Sequence, residues 1–169
     1  MNAPGKLLAL DVSQARIGVA TCDALGLTVR PLMVIDRTSR RADFARLAEL
    51  VQRDGVTGIV CGLPLNMDGS EGPQAQMIRK WAMRLAQALR TLVGRAIPVV
   101  FWDERLTTYA AREWLATGPP RGWGNEAGED AVAAAILLQQ YLDAQRRGET
   151  ADFGRIELPE RDLTRQNQD

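Results

Sequence analysis

The chain has 169 residues, 46% hydrophobic and 25% charged, which suits one globular domain whose core needs no disulfide or metal staple. Its 21 basic and 21 acidic residues cancel, so bulk charge does not announce a nucleic-acid binder. Histidine is absent, which excludes Ser-His-Asp and Cys-His catalysis and His-ligated zinc or haem, and leaves carboxylates for any acid-base or metal chemistry.

In chain order, the apolar run at 7–12 predicts a buried strand, stopped by polar residues. Residues 16–22 and 27–36 predict two more, joined by short connections that suit antiparallel hairpins. Pro31 places the third strand at an edge or on a bulge. Ser39 is a candidate N-cap for a helix carrying Phe44, Leu47, Ala48 and Val51 on one face and ending at Gly55. A strand at 56–61 runs into Gly62-Leu63-Pro64. A long helix after Ser70 is expected to bury Met77, Trp81, Leu85, Ala88 and Leu92 and to stop at Gly94. A fifth strand spans 97–102. A short helix after Thr107 or Thr108 would bury Ala111, Trp114 and Leu115, and Gly118-Pro119-Pro120 breaks it. A glycine-rich loop at 122–128 leads to the last helix, from Glu129 to about Arg147, apolar on nearly every side through its first half.

This order predicts an α/β domain over residues 1–147. Its sheet is five-stranded and mixed, a three-strand antiparallel meander plus parallel strands, with helices on both faces. Residues 148–169 are polar and form an expected flexible or partly docked C-terminal tail. Cys22 and Cys61 form no CxxC and read as reduced thiols. The run Leu7–Leu10 is too short for a signal-peptide core, and the apolar run at 131–138 is far below a membrane span. The expectation is a cytoplasmic protein with no membrane partner.

Three sites set a carboxylate at the boundary of a buried element: Asp11, Asp103-Glu104, and Glu129-Asp130. Acids in the first turn of a helix ordinarily complement its dipole, and Asp103 or Glu104 could simply pair with Arg105 or Arg16. Asp11 is harder to explain away, because it shares a strand face with Leu7 and Ala9, where an unpartnered carboxylate is costly. Functional groups of parallel α/β sheets gather at the carboxyl ends of strands. With strands one, four and five adjacent and parallel, Asp11, Gly62-Leu63-Pro64 and Glu104 share one edge, and a crossing helix brings Asp130 to it. Successive residues leaving a strand point to opposite sides, so Asp103 and Glu104 cannot both serve one site. Ser70 is a candidate cap for a helix N-terminus able to hold phosphate, against the plainer reading of a strand-to-helix loop. Lys6 and Lys80 are the only lysines. The arginines that make up the rest of the basic set suit bidentate phosphate contacts, and equally reflect a GC-rich genome.

Four ordered motifs resemble one family. Asp11-Val12-Ser13-Gln14-Ala15-Arg16-Ile17-Gly18-Val19-Ala20 is similar to the D-x-G-x-x-R-I-G-V-A opening of the YqgF (RuvX-like) proteins. Gly62 to Gly72 resembles G-L-P-x-x-x-D-G-[ST]-x-G, Asp103 to Thr108 resembles D-E-R-L-[ST]-T, and Asp130 to Leu142 resembles D-A-x-A-A-x-x-L-x-x-Y-L. The family comprises bacterial RNase H-like proteins described as Holliday junction resolvases and as nucleases maturing pre-16S rRNA. The resemblance implies an RNase H-like fold and catalytic, metal-holding carboxylates at Asp11, Glu104 and Asp130. Ser13 replaces the family's usual glycine, and the stretch 123–129 lacks the family's basic residues.

Hydrolysis of a phosphodiester with two Mg²⁺ or Mn²⁺ ions needs such carboxylates and no histidine. Arg16, Arg79, Lys80 and Arg105 are the candidate nucleic-acid contacts. The expected substrate is RNA, with branched DNA as the alternative; symmetric cutting of a junction would call for a homodimer. Two other readings stand beside this one. The first motif also resembles the phosphate hairpin of actin-like ATPases and sugar kinases, which clamp ATP between two such domains. A non-catalytic nucleic-acid-binding module of the same fold is the other.

Overall fold

The computed structural model describes residues 3–105, 112–113, 116–118, 123, 127–149 and 153–161. The described elements are β1 (Leu7–Val12), β2 (Arg16–Cys22), β3 (Val29–Asp36), α1 (Arg40–Asp54), β4 (Gly58–Leu63), α2 (Pro73–Val93), β5 (Val99–Asp103), α3 (Glu129–Arg146) and β6 (Arg155–Ile156). They form a six-stranded sheet in the order β3-β2-β1-β4-β5-β6. Strands β1, β4 and β5 run parallel, whereas β2 and β3 form the antiparallel meander. The direction of winding reverses between β1 and β4, where open α/β sheets place their ligands.

The sixth strand is the one departure in strand count. It comes from the segment assigned to the tail and pairs antiparallel with β5, setting Val99 opposite Ile156. Ile156 is buried, and Phe153 and Leu158 pack on the same core. Two paired residues leave no periodicity in the sequence to announce a strand.

Strand alternation sorts the core into two layers. Leu8, Leu10, Ile59, Cys61, Val99 and Phe101 face α1 and α2. Leu7, Ala9, Val60 and Val100 face α3, whose residues Ala131–Leu138 are all buried. Helix α1 starts where Ser39 Oγ accepts the Ala42 N–H at 3.1 Å, and stops at Gly55, whose φ of 65° suits glycine. Register slips at Val19/Ala20, opposite Pro31, on the edge strand β3.

Helix α2 differs from its expected phase. Trp81 and Leu85 are buried as predicted, but Ile78, Ala82 and Leu89 complete the stripe, while Met77 and Leu92 are 62% and 50% exposed. The contact with α1 and the sheet selects the face one residue further on, a choice local spacing does not make. Ser70 does not cap this helix. The cap position is Gly72, without a side-chain bond, and Pro73 takes the first helical turn. The expected short helix around Ala111, Trp114 and Leu115 lies for the most part outside the described residues. Trp123 belongs to the α3-side core, where its indole N–H donates to the Val29 carbonyl at 2.6 Å. Among the described residues, no helix is long and apolar enough to cross a membrane.

Candidate active site

The sheet's carboxyl edge carries the site. Asp11 sits one residue beyond the Leu10↔Cys61 pairing of β1 with β4, on the α3 face. On its other side it is paired with Gly18 of β2. Gly62 of β4 pairs with Trp102 of β5, and Glu104 follows two residues on, its N–H donating to the Leu63 carbonyl at 3.2 Å. Alternation therefore gives Asp11, Gly62 and Glu104 the same face, and glycine stands between the two acid-bearing strands.

Across that glycine the Asp11 and Glu104 carboxyl groups are hydrogen-bonded to each other. Both are half-buried. Burial, the Asp11 charge, the bond to Asp11 and then the Asp103 charge push Glu104 up to about 8. Burial raises Asp11 as well; the bond from Glu104 works against this, and the Asp130 charge adds to it. Both shifts favour one retained proton on the pair at neutral pH, as closely spaced carboxyl groups do.

Asp130 reaches this neighbourhood through the first turn of α3. Its backbone carbonyl lies against Gly18, in space that any Cβ would occupy. Its side chain accepts from Arg16 Nε at 2.7 Å. The structure thus joins Asp11 to Glu104 directly and places Asp130 within charge range of Asp11, turned onto Arg16. Among the described residues no three acidic or thiol groups stand together at ligand spacing. The donor set nevertheless suits a hard divalent cation: three carboxylates, two of them crowded enough to retain a proton that a cation would displace. Cys61 is not available as a ligand, since it is fully buried on the other face and burial raises its thiol beyond physiological ionisation.

Asp103 takes the opposite side from Glu104, as alternation required. Its carboxylate accepts the Arg105 N–H at 2.9 Å and Arg105 Nε at 2.8 Å. Arg105 also donates to the Met67 carbonyl at 3.2 Å, tying the turn after β5 to the loop after β4. That loop is closed by its own polar groups. Ser70 donates to Asp68 through both N–H and hydroxyl, and Asn66 donates to the Ser70 hydroxyl at 2.9 Å. Arg79 pairs with Glu71, donates to the Phe153 carbonyl and lies 4.8 Å over the Phe101 ring. Its guanidinium links the loop to the segment entering β6. Of the four candidate phosphate contacts, Lys80 is exposed with no ion pair among the described residues, and Arg16 keeps a 53% exposed side chain.

Sequence reasoning missed the seats at Gly18 and Gly62 and the Arg16–Asp130 pair. The available signal was glycine inside a buried strand, which marks a close approach by another group.

The family model described as "RuvX: Holliday junction resolvase" matches residues 5–144. A Myxococcus xanthus protein named "Putative pre-16S rRNA nuclease" is 43% identical over 145 residues, 86% of this chain and 92% of its own. A Syntrophus aciditrophicus protein of the same name is 44% identical over 141 residues, covering 82% and 89%. Among solved structures, T. thermophilus RuvC in complex with a Holliday junction substrate superposes with a TM-score of 0.59 at 18% identity, over 88% of this chain and 99% of that one. This likeness agrees with the RNase H-like fold expected from the motifs. With a match spanning most of its length and relatives above 40% identity, the chain belongs to the RuvX Holliday junction resolvase family.

Proposed function

We propose that this protein is a cytoplasmic, divalent-metal-dependent nuclease that hydrolyses phosphodiester bonds in ribosomal RNA precursors. Asp11, Glu104 and Asp130 would hold two Mg²⁺ or Mn²⁺ ions. The observation that carries the reading is the Asp11–Glu104 carboxyl pair at the carboxyl edge of β1 and β5, with Asp130 beside it. Bound ions would supply a nucleophilic hydroxide and stabilise the leaving oxygen. The chain's own residues do the rest. Asp11 and Glu104 give up their shared proton and present two anionic groups from rigid strands. Arg16 keeps Asp130 oriented while leaving half its own surface to solvent, where it and Lys80 can meet phosphate oxygens. No protein nucleophile is needed, in keeping with the absence of histidine.

RNA is favoured because the relatives above 40% identity are named for pre-16S rRNA. The second reading, cleavage of branched DNA by a homodimer, rests on the family description and on the fold of RuvC. Incubating the protein with labelled rRNA precursor and with a four-way DNA junction, each with Mn²⁺, Mg²⁺ or EDTA, tests both. Metal-dependent cleavage of the precursor alone supports the first reading, and paired symmetric cuts in the junction alone support the second. Cleavage of neither, with metal present, refutes the nuclease reading.

A further inference from the structure

Asp11 is flanked in the sheet by glycine on both sides, and the two glycines do different work. At Gly18 the atoms in the way of a Cβ are the backbone carbonyl of Asp130 and the backbone nitrogen of Ala131, so the seat holds a helix. At Gly62 the obstructing atom is the Glu104 Oε2, with Glu104 Cδ at 3.3 Å and Leu137 Cδ2 at 3.2 Å. That seat holds the tip of a side chain. β4 separates β1 from β5, so Glu104 must cross it to meet Asp11, and it crosses where β4 has no side chain on that face.

We propose that Gly62 is a positioning residue, whose missing side chain is the space through which the Glu104 carboxyl reaches Asp11. The inference rests on the reading of Glu104 as a metal-holding carboxylate. Gly62 has an ordinary backbone conformation and lies within β4, so alanine is tolerated by the main chain. The overlap falls on the far end of a flexible side chain. Gly62→Ala should therefore fold, with Glu104 turned away from Asp11. Gly18→Ala, in contrast, must shift the start of α3.

The test combines Gly62→Ala with Glu104→Ala. Mn²⁺ binding is followed by calorimetry on the purified protein, cleavage by kcat and KM, and folding by Tm in EDTA. Gly62→Ala is expected to cost roughly 10–100-fold in Mn²⁺ affinity and kcat, as loss of a ligand's support does, with KM and Tm nearly unchanged. In the Glu104→Ala background the same substitution should alter Mn²⁺ affinity and Tm hardly at all, because nothing remains to be displaced. Leu137→Val, added to Gly62→Ala, relieves the Leu137 Cδ2 contact while leaving the Glu104 overlap. Wild-type behaviour of Gly62→Ala beside an inactive Glu104→Ala overturns the inference alone. So does an equal loss in both backgrounds, or failure of Gly62→Ala/Leu137→Val to fold, since each would make the effect one of packing. An active Glu104→Ala, or wild-type protein that binds no Mn²⁺, overturns the functional reading and the inference with it.

Discussion

Replacing Glu104 by glutamine should make the metal-free protein more stable at about pH 8 and leave it almost unchanged near pH 4.5. In the folded state the Glu104 carboxyl is raised from 4.5 to about 8, first by burial and then by Asp11. The folded chain therefore binds this proton more tightly than the unfolded chain. The stabilisation it provides is complete below about pH 4.5 and drains away as pH climbs toward 8. At about 1.4 kcal/mol per unit, a displacement of this size corresponds to a few kcal/mol. With about 2–4 °C of Tm per kcal/mol for a chain of this length, wild-type Tm should fall by roughly 10 °C across that window on this account alone. Glutamine keeps the shape, still donates to Asp11 and cannot ionise. Its melting curve should lack that slope and cross above wild type on the alkaline side. Thermal melts of both proteins in EDTA at intervals between these pH values measure the difference. Mn²⁺ should then raise the wild-type Tm and leave the variant's nearly unmoved. Parallel profiles for the two proteins would refute the shared-proton account of the pair.

Other outcomes follow from the same geometry. Arg16→Gln removes a pair whose arginine is 53% exposed, so melting should hardly change. A large loss would show that Arg16 holds α3 in place. Asp103→Asn leaves the Arg105 N–H an acceptor but discharges the ion pair, and should cost roughly 1 kcal/mol in melts while only partly reducing cleavage. Glu104→Gln should abolish cleavage in the same assay, and the reverse ranking would exchange the roles of the two neighbours. Ending the chain after Glu149 deletes β6. Burial of Ile156 alone stabilises by roughly 1.5–3 kcal/mol, so the truncated protein should melt well below the full chain, and an unchanged Tm would show that β6 contributes nothing.

What the sequence made legible was local. Asp11 announced itself by breaking a face shared with Leu7 and Ala9, and α1 was bounded by its own cap residues, Ser39 and Gly55. That Asp103 and Glu104 cannot both serve one site followed from alternation, and the choice of Glu104 came from the family resemblance. The missed features depend on neighbours far along the chain. Whether α2 buries Met77 or Ile78 is decided by where α1 lies, since both residues fit a helical stripe. The meaning of Gly62 depends on strand order, because only a sheet that sets β4 between β1 and β5 turns a missing side chain into a passage. Arg16 and Asp130 meet across 114 residues, with no spacing to suggest it. Ser70 failed as a cap because the helix starts at Pro73, behind Gly72, and the Ser70 hydroxyl oxygen accepts from Asn66 instead.

The seat of α3 on Gly18 has a consequence for the order in which the protein becomes competent. Asp11 lies on β1, and Asp130 is made only after five strands and two long helices. Until the first turn of α3 settles against Gly18, the edge holds two carboxyl groups sharing a proton and lacks the third acid. A growing chain, or a fragment cut before α3, lacks the third of the proposed metal-holding carboxylates even if its sheet has formed. Assembly of the three carboxylates is thereby coupled to completion of the domain.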